Sequence, residues 1–170
     1  MSSIIKVNTI QDAGGNAMIS SNGTGTFTSS LPAPAGAIVQ MVQATDGTNL
    51  SSSSTSYVDT GLTASITPSS TSNKVLVLVS MGDFGADAAG SAGAAHKLLR
   101  DSTDLIIHSS NGAHGMTGYI YTAGTSFSYL DSPSSTSSLT YKVQFKSNGG
   151  ENFVTDNAST ATITLLEIKQ

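Results

Sequence analysis

Apolar runs of strand length recur along most of this chain, each closed by Ser, Thr, Gly, Asn or Asp. Leu139, Tyr141, Val143 and Phe145 alternate with Thr140, Lys142, Gln144 and Lys146. That period of two sets one face of a strand on a core and the other toward water. Leu62, Ala64 and Ile66 alternate in the same way with Thr63 and Ser65, inside a strand predicted over Tyr57–Ile66. Ala37–Val42 and Ala161–Ile168 predict two more strands. Lys74–Met81 differs, being apolar without a break from Val75 to Val79. Such a run predicts a strand covered on both faces, in a sandwich centre or a subunit interface. Lys97–Arg100 and Leu105–His108 flank Asp101–Asp104 and predict a hairpin. Gly118–Thr122 and Ser126–Leu130, around Ala123–Thr125, predict a second. Only Gly90–Leu99 has room for a helical turn, which its glycines and serine disfavour. Some eight short strands joined by hydroxyl-rich loops (51–56, 68–72, 132–138) predict an all-β fold, an antiparallel β-sandwich or jelly-roll knob.

The first 36 residues follow another pattern. Ile4, Ile5, Val7 and Ile10 precede Asp12-Ala13-Gly14-Gly15-Asn16, and Ala17, Met18 and Ile19 precede Ser21-Asn22-Gly23-Thr24-Gly25. Gly-Gly and Asn-Gly accept positive φ and mark tight turns. Strands this short cannot bury a core alone. Residues 1–30 therefore read as a short extended N-terminal β anchor, which pairs with another chain or a docking surface through Ile4, Ile5, Val7, Ile10, Met18 and Ile19. Pro32 and Pro34 stiffen a linker over 31–36, and the knob occupies 37–170.

Composition narrows the class. Charged residues are 11% of the 170, less than half the usual ~25%, while about 50 positions are Ser or Thr. Seven Lys and Arg against 11 Asp and Glu, with no basic run, give a net charge of −4. Clustered cations are what phosphate neutralisation needs, so no nucleic-acid partner is expected. A hydrophobic content of 38% suffices for one core in a domain of this size. Cysteine is absent, which excludes disulfides, thiolate zinc sites and Cys nucleophiles. The N-terminus lacks the apolar stretch of a signal peptide, and no run is long enough to predict a membrane-spanning helix.

Candidate chemistry is sparse. The chain has no GxSxG elbow, phosphate loop or dinucleotide motif, so neither an enzyme nor a cofactor is expected. His108 and His114 would serve as metal ligands or acid–base groups only if a loop brought them together. Asp83 and Asp87, in GDFGADAAG, offer carboxylates to a cation, but their spacing does not fit an EF-hand loop, and no metal site is expected. Loops over 81–95 and 108–118 are rich in Gly, Ala and Ser and predict an outward, changeable surface. Their polar groups able to orient a sugar are Asp83, Asp87, His108, Asn111 and His114. Tyr119 and Tyr121 could lay phenol rings against a sugar's apolar face. Neither loop holds Lys or Arg, so a neutral or weakly charged glycan fits better than a sulfated one.

The opening MSSIIKVNTIQDAGGNAMISSNGTGTFTSS, most specifically IIKVNTIQDAGGN over residues 4–16, resembles that of small virion structural proteins of tailed, marine bacteriophages, tail-fibre-like or capsid-decorating. SYVDTGLTASITPSSTSNKVLVLV, LLRDSTDLI, SYLDSPSS and TITLLEI are similar to their distal domains. The resemblance implies a non-enzymatic homotrimer on the virion surface, an anchor bearing a β-rich knob, with other virion proteins as partners. It leaves capsid and tail placement open and brings no catalytic residues. A short fibre touching a host-surface glycan or receptor is the leading expectation. Capsid cement and a soluble carbohydrate-binding lectin are the alternatives.

Overall fold

A computed structural model describes residues 7–24, 27–29, 32–86, 92–114, 121–154 and 159–170. The chain divides into two compact units, Met1–Pro34 and Ala35–Gln170. In the first, β1 (Thr9–Gln11), β2 (Ala17–Ser21) and β3 (Phe27–Ser29) form an antiparallel sheet in that order. Asp12 closes the first turn. Its Oδ1 accepts the N–H groups of Gly14 at 2.8 Å and Asn16 at 2.9 Å, and its Oδ2 accepts the Asn16 amide at 2.9 Å. Gly15 follows at φ +80°, where an L side chain would be strained.

The second unit holds β4 (Ile38–Asp46), β5 (Leu50–Ser52), β6 (Val58–Ile66), β7 (Lys74–Ala86), β8 (Ala92–Arg100), β9 (Thr103–His114), β10 (Tyr121–Asp131), β11 (Leu139–Ser147), β12 (Asn152–Val154) and β13 (Ala161–Ile168). One sheet runs β4-β13-β7-β10, with the short β12 and β5 continuing along β7 where β13 ends. The other runs β6-β11-β8-β9. With the two short strands set aside, the remaining eight, counted in chain order, make sheets 1-8-3-6 and 2-7-4-5. That is the double Greek key of a jelly roll.

Between the sheets lies one core. Val75, Val77, Val79, Ile163 and Leu165 from one sheet meet Leu62, Leu98, Tyr141, Val143 and Phe145 from the other, all at 2% exposure or less. The predicted alternation in β11 and β6 is present, with burial repeating every second residue.

Three sequence expectations change. Within the chain Lys74–Met81 is covered on one face only: Val75, Val77 and Val79 enter the core, whereas Leu78 is 41% exposed on the outer face. The hairpin expected around Ala123–Thr125 is instead one continuous strand, β10, paired with β7 from Tyr121 to Asp131. Its glycine and hydroxyls mark a β-bulge at Gly124/Thr125, where Gly82 is the extra residue on β7. Gly90–Leu99, where a helical turn was disfavoured, is strand over its described residues. Ala94, His96 and Leu98 all point inward at 0% exposure, the strand period of β8. Finally, the turn joining β8 to β9 is two residues, Asp101 and Ser102, with Asp101 at φ +52°.

Connections gather at the two ends of the sandwich. Ala86 pairs with Tyr121 and Ala92 with His114, so the β7–β8 and β9–β10 connections leave from one end. At the other end Gly36 donates its N–H to the Lys169 carbonyl at 2.8 Å, and Lys169 donates to Ala37 at 2.9 Å. The chain thus joins the body at the end away from those two connections.

Candidate functional site

Of the residues expected to face outward, Asp83 and His108 are described with their side chains, and neither is fully exposed. Met81, Ala94 and Ala95 are buried, and Met81–Ala86, Ala92–Ala95 and His108–His114 are strand. The expected loops therefore give way to strand over these residues, and 87–91 and 115–120 lie outside the described residues. Asp83 is half-buried on β7, just past the bulge, and its N–H donates to Ser159 Oγ at 2.8 Å. Gly82 makes that approach possible, because a Cβ there would collide with the Ser159 side chain. His108 turns its ring onto Phe127 of the opposite sheet, stacked at 5.3 Å between centroids and 20° between planes. Its Nε2 lies 3.4 Å from Thr125 Oγ1. It packs between the sheets rather than displaying an imidazole. Asn111, His114 and Tyr121 have their backbones in β9 and β10 at this end, and their side chains lie outside the described residues. Asp87 and Tyr119 also lie outside them.

Among the residues expected to anchor, Val7 is 50% and Ile10 48% exposed, and Met18 and Ile19 are half-buried. Ile10 and Ile19 are register partners across β1 and β2, so they share a face. Ile4 and Ile5 lie outside the described residues. No described residue of the first unit with assigned burial is buried.

Sequence reasoning missed the polar groups set into the core. On β8, Arg100 directs one guanidinium nitrogen to both oxygens of Asp131, at 2.8 and 2.6 Å, and Tyr141 donates its hydroxyl to Asp131 at 2.7 Å. Burial and the Asp131 carboxylate both push the Tyr141 hydroxyl far up, so it stays a donor. Glu167, at 0% exposure, accepts from Ser69 N–H and Oγ, both at 2.7 Å, from Asn73 at 2.6 Å and from Gln40 at 3.1 Å. Burial alone would raise its pKa, but these four donors outweigh burial and hold it below the usual value. The signal was available: Asp131 and Glu167 fall at inward positions of otherwise apolar alternations. Both networks stitch strands and loops at the end where the chain joins the body, and neither opens onto a cleft.

His96, fully buried and paired in register with His108, has its pKa pushed down to about 4, by burial first and by His108 second. Among the described residues no three His, Cys, Asp or Glu side chains cluster as metal ligands. None of the described residues forms a helix long and apolar enough to cross a membrane. A shallow hollow of about 430 Å³ opens on the outer face of β7, β10 and β13. Leu78, Ser126, Ser128, Thr162 and Thr164 line it, hydroxyls without a charge.

No protein-family model matches this chain, and no curated protein matches it. Among solved structures, it is similar to VP2 of infectious bursal disease virus in a subviral particle, at 16% identity and a TM-score of 0.45, over 82% of this chain and 35% of that one. The structure of the Gt strain of the same virus aligns at 11% identity and a TM-score of 0.43, over 86% of this chain and 40% of that one. The chain thus spans between 35% and 40% of the length of these two proteins. The likeness is loose, and the jelly-roll assignment rests on the strand order of this chain itself.

Proposed function

We propose that this protein is a non-enzymatic structural component of a bacteriophage virion, a homotrimeric short fibre or decoration protein on the particle surface. The observation that carries the reading is the first unit. Its three-stranded sheet leaves Ile10 about half exposed, as is Val7 just before it, and none of the unit's described residues with assigned burial is buried. Three short strands hold together on their own only through a hydrophobic face, and apolar residues left open to water are what an anchoring segment offers a docking partner. The opening motif of residues 4–16 supports the same role by resemblance. In the body, strands fix the framework while the 87–91 and 115–120 connections leave together from the end away from the chain's point of attachment. Loops on a rigid scaffold are where contacts with a host surface are made. The absence of Lys and Arg from both loops favours a neutral or weakly charged glycan there.

The test is a map of the intact particle together with adsorption assays. The expected map shows knobs projecting from the surface with the 87–91 end outermost. Particles carrying Asp87→Ala and His114→Ala should assemble normally and adsorb less well to host cells. Unchanged adsorption with a less stable shell would replace this reading with capsid cement, and absence of the protein from purified particles would end it.

A further inference from the structure

We infer that the outer face of the β4-β13-β7-β10 sheet is where copies of this chain pack against one another. The inference deepens the trimer reading above by assigning its contact surface. Register places Met41, Leu166, Leu76 and Leu130 side by side in one row across all four strands. Met41 is 65% and Leu130 50% exposed, and Leu78 at 41% stands in the next row. An unbroken apolar row facing water across a whole sheet is a feature of interaction surfaces, not of scattered surface leucines. It also accounts for the continuous KVLVLV run, in which the valines serve the core and the leucines the outer face.

The occupant is a second copy for two reasons. Met41's row and the two rows above it, which reach Thr45, Thr162, Ser80 and Ser126, contain no charged residue. Identical faces therefore meet without like-charge repulsion, whereas a partner steered by charge would find nothing to read. The size also fits. Four strands ~4.8 Å apart make a face roughly 19 Å wide, and three rows covering roughly 20 Å of strand length give roughly 400 Å² per copy. Three such faces turned to one axis bury on the order of 1,200 Å² in the trimer, against the ~1,000 Å² that a specific contact needs. Three faces of that width around a threefold axis stand roughly 5.5 Å from it, given the same strand spacing. That is the reach of a Leu or Met side chain, and the hollow beside Leu78 gives a neighbour's projecting side chains a place to enter.

The test uses the full chain. Wild-type protein at micromolar concentration should sediment at three times the monomer mass, and the double variant Met41→Lys/Leu130→Lys at one third of the wild-type mass. Ile107→Lys, at a 57% exposed position on the opposite sheet, should keep the trimer. Because the chain has no cysteine, Leu130→Cys and Ile107→Cys each supply a single thiol, a readout that survives if the lysine variants misfold. In the assembled protein the thiol at 130 should react with a maleimide at least tenfold more slowly than the thiol at 107. A wild-type monomer, a trimer indifferent to the double variant, or equal thiol rates would overturn the assignment. Particle incorporation is not read in either measurement, so protein that trimerises through this face but is absent from virions would refute the proposed function and leave this inference standing.

Discussion

His96 is a neutral imidazole held at zero exposure on β8, with a folded pKa of about 4 against an ordinary value near 6.5. Because the folded value is the lower one, the unfolded chain takes up the proton first. The stability linked to the neutral ring is complete above pH 6.5 and is lost as pH falls from 6.5 toward 4. Its size is about 3 kcal/mol, from ~1.4 kcal/mol per unit. Thermal melts should show Tm falling steadily through that window, and His96→Leu should flatten the fall. Glu167, Asp59 and Asp12 all have lowered pKa values, so their contributions are complete above the ordinary carboxylate range and fade from about pH 5 downward, which leaves the upper part of the window to histidine. A wild-type Tm constant from pH 6.5 to 4 would refute this account. Asp131 makes a second case, since it satisfies both Arg100 and Tyr141. Asp131→Ala strands a largely buried guanidinium and should cost about 3 kcal/mol in urea unfolding, with Arg100→Ala partly restoring what is lost.

At the scale of elements, the period of two was enough to place β6 and β11, because each buries one face and no competing signal interrupts it. It failed where turn residues sit inside strands. Ala123-Gly124-Thr125 has the composition of a hairpin turn, yet it pairs with β7 on either side of a bulge whose extra residue is Gly82. The short strands β5 and β12 were missed because three residues carry no periodicity. The outward loops were drawn too long for a related reason: small residues at 92–95 read as loop, although Ala94 and Ala95 are small because they are buried. Gly61 shows a glycine whose reason emerges only in three dimensions. It sits at φ +91° on β6, and an added Cβ would run into the Asp46 carboxylate. Gly61→Ala should therefore destabilise the body by about 2 kcal/mol through backbone strain and displacement of Asp46. A midpoint shift smaller than that of an exposed-strand control such as Thr63→Ala would show that the site relaxes freely.

For the whole molecule, an all-β sandwich was legible in the sequence, but its strand order was not. β4 pairs with β13 across more than a hundred residues, and local patterning carries no information about such a partner. A division of the chain near the prolines was read from those prolines and from turn residues, and the consequence of the two units can be measured. Every residue of the hydrophobic core belongs to the second unit. The hydrogen bonds that hold its first residues, Gly36 to Lys169 and Lys169 to Ala37, survive a cut after Pro34. Removing residues 1–34 should therefore leave a cooperative β-sandwich with a urea midpoint close to that of the full chain, since no described residue of the removed unit with assigned burial is buried. Under the proposed function the same truncation should abolish attachment, because no other described segment pairs so much exposed apolar surface with so little core. Complementing a phage that lacks the protein with residues 35–170 should yield particles without knobs and a folded knob free in the lysate. Wild-type occupancy by the truncated chain would show that the body itself docks, and would move the attachment surface from the first unit to the second.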